Sequence, residues 1–151
     1  MEILVVDDDA LITLMVSESL KLQGFGVAIA EDGAAALTAV RQRRPALILL
    51  DAEMPVLDGF AVLKALKADA ALSHVPVIML TARRNLRDVM LARSLGASDY
   101  LAKPFDIMDL LQRVKAWTGR RPGVGTGLAR AEQASLVFGE EGTDAAQWFV
   151  E

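Results

Sequence analysis

An α/β protein, with a parallel sheet covered by helices on both faces, is the fold class this sequence predicts, on three observations. Short apolar runs alternate with helical patterns five times over. The composition is 53% hydrophobic but only 5% aromatic, so the core has to be built from Leu, Val, Ile, Ala and Met, as in aliphatic strands beneath Ala/Leu-rich helices. The length of 151 residues fits one ordinary domain with a short appendage.

Taken in order, residues 3–6 (Ile-Leu-Val-Val) read as a buried strand and residues 10–23 as a helix stopped by Gly24. Residues 27–30 form a second strand, and residues 33–44 an Ala-rich helix ended by Pro45. Residues 46–51 form a third strand, followed by a helix from Phe60 to about Asp69. Residues 77–81 are a fourth strand, with a helix over 85–95 stopped at Gly96, and residues 99–102 are a short fifth strand. The last helix sets Ile107, Leu110, Leu111, Val114 and Trp117 on one apolar face. Gly and Pro then break the periodicity over residues 119–127, which read as a linker between a domain at 1–118 and a tail at 128–151 with a short helix around 128–138.

Several function classes are excluded early. With no Cys there are no disulfides, no thiol chemistry and no Cys-ligated metal, which fits a reducing compartment. Met1 is followed almost at once by the first strand, and no apolar run approaches the ~18 residues a membrane span needs, so a cytoplasmic protein with no membrane partner is expected. The net charge of −4 lies in the tail, where Glu132, Glu140, Glu141, Asp144 and Glu151 face one base, Arg130. Residues 1–127 are left with 15 acids and 15 bases, so no nucleic-acid partner is expected.

In a parallel sheet every strand ends on one edge, and ligands bind beyond those carboxyl ends. The first strand ends in Asp7-Asp8-Asp9, the third in Asp51, the fourth in Thr81-Ala82, and the fifth runs into Lys103-Pro104. Carboxylates gathered at one rim repel each other unless a cation is supplied. Oxygen donors with water left over suit Mg²⁺, and the lone Lys and Thr suit the anionic end of a substrate, most simply a phosphoryl group.

Ile3-Leu-Val-Val-Asp-Asp8, Asp51-Ala-Glu-Met-Pro-Val-Leu-Asp-Gly59, Thr81-Ala82 and Gly96-Ala-Ser-Asp-Tyr-Leu-Ala-Lys-Pro-Phe105 follow one another in an order and spacing that resembles the receiver domain of bacterial two-component response regulators, over about residues 2–118. The resemblance implies a flavodoxin-like (CheY-like) fold with strand order 2-1-3-4-5. It implies that Asp51 accepts a phosphoryl group from a histidine kinase or a histidine phosphotransfer protein, and that the chain catalyses only its own phosphorylation and slow dephosphorylation. Asp8 would bind Mg²⁺ directly, Asp7 would support it through water or hydrogen bonds, and Asp51 and the Glu53 backbone carbonyl would complete the ligands. Thr81 would donate to a phosphoryl oxygen, Lys103 would neutralise the same group, and the Lys103-Pro104 bond would be cis. Thr81 and Tyr100 would form a switch that alters the fourth helix, fifth strand and fifth helix, read by a protein partner or a weak homodimer. Arg93, Asp99, Asp109 and Arg113 resemble the charges through which family members dimerise there, with Ser98 departing where an acid is common. Glu53 and Arg83 flank the site and bear on how water reaches the aspartyl phosphate.

Other residues have plainer readings. Asp9 reads as a helix N-cap and Asp58-Gly59 as the turn into the third helix. His74 reads as a surface residue, and the Arg41/Arg43/Arg44 and Arg83/Arg84/Arg87 clusters as solvated helix faces. Gly123, Gly125 and Gly127 lack the strand and helix that a phosphate-binding loop needs. A rival from another class is a haloacid-dehalogenase-like phosphatase using Asp7 and Asp9, although its cap insertion and later acidic pair are missing.

Overall fold

The computed structural model describes residues 1–82 and 85–119. Five strands and five helices alternate: β1 (Glu2–Val6), α1 (Ala10–Leu22), β2 (Gly26–Ala30), α2 (Gly33–Gln42), β3 (Leu47–Asp51), α3 (Gly59–Ala68), β4 (Val77–Thr81), α4 (Leu86–Ser94), β5 (Asp99–Ala102) and α5 (Ile107–Thr118). All strand pairs are parallel, in the order β2-β1-β3-β4-β5. The expected linker beyond Gly119, the tail with its short helix, and Arg83 and Arg84 lie outside the described residues. No described helix is long and apolar enough to cross a membrane.

The central strands β1, β3 and β4 are apolar except at their ends because both faces of the sheet are covered there. Period two sends Leu4, Val6, Ile48, Leu50, Val77 and Met79 to one face, where α2, α3 and α4 supply Val40, Phe60, Leu63, Leu66 and Val89. The alternate residues Ile3, Val5, Leu47, Leu49, Ile78 and Leu80 meet Val16 and Leu20 of α1 and Leu110, Val114 and Trp117 of α5. Two cores therefore share one sheet.

Each described helix starts on an Asx cap: the side chains of Asp9, Asp32, Asp58, Asn85 and Asp106 accept N–H bonds from the first turn. Because the helices run back against parallel strands, all five caps lie at the strands' carboxyl edge. Gly24 and Gly96, at φ 94° and 102°, close α1 and α4, as their sequence positions predict. Helix α2 stops earlier than expected, at Gln42 rather than Arg44. Arg43 is already extended (φ −153°, ψ 110°), so the chain leaves the helix two residues before Pro45.

Gly59 fixes the corner next to Asp51. Its N–H donates to the Ala52 carbonyl at 2.9 Å, and a Cβ there would stand 2.7 Å from Ala52 Cα and press on the Asp51 carbonyl oxygen. Gly→Ala at a helix start usually stabilises, but Gly59→Ala should cost about 1–3 kcal/mol through overpacking. Urea unfolding checks this, and an unchanged midpoint would contradict the close approach.

Candidate functional site

The rim residues converge as the topology requires. Asp7 and Asp51 end beside one another on the neighbouring strands β1 and β3, both buried, with Asp8 exposed beside them. One carboxylate oxygen from each of Asp7, Asp8 and Asp51 lies within 4.8 Å of the other two. Lys103 directly follows β5 and precedes Pro104 through a cis bond, and its backbone N–H donates to the Thr81 carbonyl at 2.8 Å. Its Nζ donates to Asp7 Oδ2 at 2.7 Å and stands 3.5 Å from Asp51 Oδ1. The other Asp7 oxygen accepts the Asp9 N–H at 2.9 Å, and Asp51 Oδ1 accepts the Glu53 N–H at 3.3 Å.

Among the described residues, the electrostatics leave this site short of positive charge. Burial, and then the charge of Asp7, push the Asp51 carboxyl up to about 6, with Lys103 and the Glu53 N–H offsetting only part of the rise. Burial alone would lower the Lys103 ammonium, but its hydrogen bond to Asp7 and the charges of Asp51 and Asp7 outweigh that and hold it above its usual range. Among the described residues, one ammonium is thus paired with Asp7 and Asp51, with the Asp8 carboxylate beside them. An all-oxygen set with such a deficit fits a hard divalent cation, for which Asp7, Asp8 and Asp51 are the available side chains.

Thr81 is buried at the end of β4, one position beyond the Leu80 that pairs with Asp51. Strand alternation puts it on the same sheet face as Met79 and Tyr100, and Tyr100 is 1% exposed within that core. Glu53 is exposed in the loop after β3. Asp9 caps α1 by accepting from the Leu11 and Ile12 N–H groups, and Asp58 caps α3 through Ala61.

One expectation needs correction. Asp99 is not a surface charge awaiting a second copy, because its side chain is wholly buried. Arg113 Nη1 donates to it at 2.6 Å, Trp117 Nε1 at 3.4 Å and the Tyr100 N–H at 2.8 Å. Burial pushes the Asp99 carboxyl up, with Arg113 the main opposing influence. Arg113 also bonds Asp109 at 3.0 Å, and both acids together overcome its own burial to hold it above its usual range. The signal was present in the sequence: Asp99 shares strand parity with Leu101, and Arg113 lies four residues before Trp117 on the inward face of α5.

The sequence model of the response regulator receiver domain matches residues 3–115. The chain belongs to this family. Among its relatives, the DNA-binding response regulator MtrA of Mycobacterium tuberculosis is 47% identical over 114 residues, 76% of this chain and 49% of the relative. The transcriptional regulatory protein PrrA of the same species is 45% identical over 124 residues, 82% of this chain and 52% of the relative. The chain therefore spans about half the length of the curated relatives it matches. Among solved structures, the receiver domain of Francisella response regulator 1452 superposes with a TM-score of 0.74 at 33% identity, covering 79% of this chain and 97% of that one. The chemotaxis response regulator CheY4 of Vibrio cholerae gives 0.73 at 33%, covering 77% and 97%.

As a receiver domain, the chain has the strand order that the resemblance implied. The phosphatase alternative is not supported: Asp9 is occupied in capping α1 and Asp7 is tied to Lys103. The relatives are named as regulators, and MtrA as DNA-binding, so the expectation that nucleic acid plays no part does not extend to a longer protein.

Proposed function

We propose that this receiver domain accepts a phosphoryl group on Asp51 from the phosphohistidine of a sensor kinase or histidine phosphotransfer protein. The observation that carries the reading is the meeting of Asp7, Asp8 and Asp51 within 4.8 Å, with Lys103 3.5 Å from Asp51, in a chain of this family. An Asp51 carboxylate oxygen forms the new O–P bond as the donor's N–P bond breaks, and the imidazole leaves neutral from the form protonated on its other nitrogen. Lys103 then turns from its pairing with the carboxylates to the phosphoryl oxygens, and the Thr81 hydroxyl donates to one of them. Mg²⁺ held by Asp8, Asp51 and the Glu53 carbonyl, with Asp7 supporting it, would supply the charge that offsets both the carboxylates and the incoming phosphoryl group. Such a site works by positioning and charge neutralisation, and it transforms no substrate other than itself.

The output we assign to the face of α4, β5 and α5, with Thr81 and Tyr100 linking it to the rim, and with a protein partner or weak homodimer as reader. Asp99 is already paired within the chain, and exposed ion pairs contribute only about 0–1 kcal/mol each, which favours the weak end of dimerisation. Incubation with acetyl phosphate and Mg²⁺ tests the acceptor: peptide mapping by mass spectrometry should place one phosphoryl group on Asp51. A group found on Asp7 instead would overturn the assignment.

A further inference from the structure

Helix α1 carries an apolar stripe that no other described element covers. Leu11, Leu14, Met15 and Leu22 are 41–85% exposed. At about 3.6 residues per turn they share an arc of roughly 100°, with Glu18 among them, opposite the buried Thr13, Val16, Ser17 and Leu20. Exposed apolar side chains at this spacing, on one face of one helix, mark a contact surface rather than scatter. The helix runs from the rim, where Asp9 caps it, to the opposite edge of the sheet, where Leu22 ends it. Helix α5 lies beside it on the same sheet face, where Leu110, Val114 and Trp117 meet Val16 and Leu20. It too runs away from the rim, so Thr118 and Gly119 stand at the same edge as Leu22.

The chain beyond Gly119 has the chemistry to cover that stripe. Residues 128–151 set two apolar runs, Leu136-Val137-Phe138 and Trp148-Phe149-Val150, among five acids, where a merely solvated tail would carry neither. Residues 119–127 can span up to about 30 Å, against about 17 Å for the whole stripe, so both runs can reach it. Lys21, loosely paired with Glu18 at 3.6 Å, and Lys115 are exposed in the last turns of α1 and α5 and offer the acids positive charge at that edge. We infer that residues 128–151 fold back on their own domain and seat these two runs on Leu11, Leu14, Met15 and Leu22. A tether gives an effective concentration of about millimolar, which favours this occupant over a second copy at about micromolar protein.

The chain has no cysteine, so a single introduced one carries a nitroxide to a chosen place. In the full chain with Gln23→Cys, beside Leu22, the label should strip most of the intensity from the Trp148 indole resonance and from the amides of residues 136–138. Reducing the nitroxide should restore them. A label on Arg43→Cys, at the same edge but past the other face of the sheet, should leave them sharp. Leu14→Gln together with Leu22→Gln should abolish the broadening from Gln23→Cys, while the Trp117 indole shift, read with the label reduced, stays in place and reports an intact core. No broadening from Gln23→Cys, equal broadening from Arg43→Cys, or broadening that survives both Gln substitutions would overturn the inference. So would broadening carried between chains in a mixture of nitroxide-labelled and isotope-labelled protein, which would make the occupant a second copy.

Discussion

Asp51→Asn should take up no phosphoryl group from acetyl phosphate, and without Mg²⁺ it should be more stable than the wild type at pH 7.5. The first part follows from replacing the nucleophilic oxygen pair with an amide. The second follows from the carboxyl at about 6, raised from 3.8 by burial and by Asp7. A group whose folded pKa is raised stabilises the fold fully below its unfolded value, and that contribution is lost as pH rises through the folded one. Above pH 6 the wild type therefore carries a charge the fold disfavours, worth at most about 3 kcal/mol and nearer 1–2 once rim water screens it. The gap between Asn and Asp should narrow from pH 7.5 to 4.5, and saturating Mg²⁺ should close or reverse it by favouring the ionised site. Thermal melts of both proteins across that range, with and without Mg²⁺, give the answer. A wild type that gains nothing from Mg²⁺ would count against the cation site.

Arg113→Met should be the most damaging change away from the rim, costing about 3–5 kcal/mol, because it strands a carboxylate inside the protein. Asp99 has no exposed surface to relax toward, and its remaining donors, Trp117 Nε1 and the Tyr100 N–H, are neutral. Adding Asp99→Asn to Arg113→Met should recover a large part of the loss, since the penalty belongs to the unpaired charge rather than to missing contacts. Urea unfolding of the two single variants and the double variant measures the coupling. A double variant no better than Arg113→Met would place the cost in packing along the Arg113 stem instead.

The parallel sheet and the convergence of acids were legible because they follow from the linear pattern, whereas the strand order rested on the family resemblance. Strands buried on both faces leave unbroken apolar runs, and the residue after each run has to stand at the common edge. The resemblance to family dimer charges set Asp99 at an interface, whereas strand parity with Leu101 and the reach of Arg113 from the next helix take it inside. The end of α2 was set two residues late, since the helix yields to Pro45 before reaching the residue next to it. The turn at Val56, a non-glycine at φ 72°, could not be read from composition. Its φ is imposed by closure between Ala52 and Gly59, and nothing about a valine announces a left-handed backbone.

The division of the interior into two cores has a spectroscopic consequence. Trp117 lies in the layer with α1 and α5, bonded to Asp99, while Tyr100 lies in the opposite layer, on the same face as Thr81. With Trp148 replaced, Trp117 emission should accordingly follow unfolding and the fate of the Arg113 pair. Tyr100 is the chain's single tyrosine. A fluorinated tyrosine would thus give one resonance, placed on the side of the sheet where a signal from Asp51 has to travel.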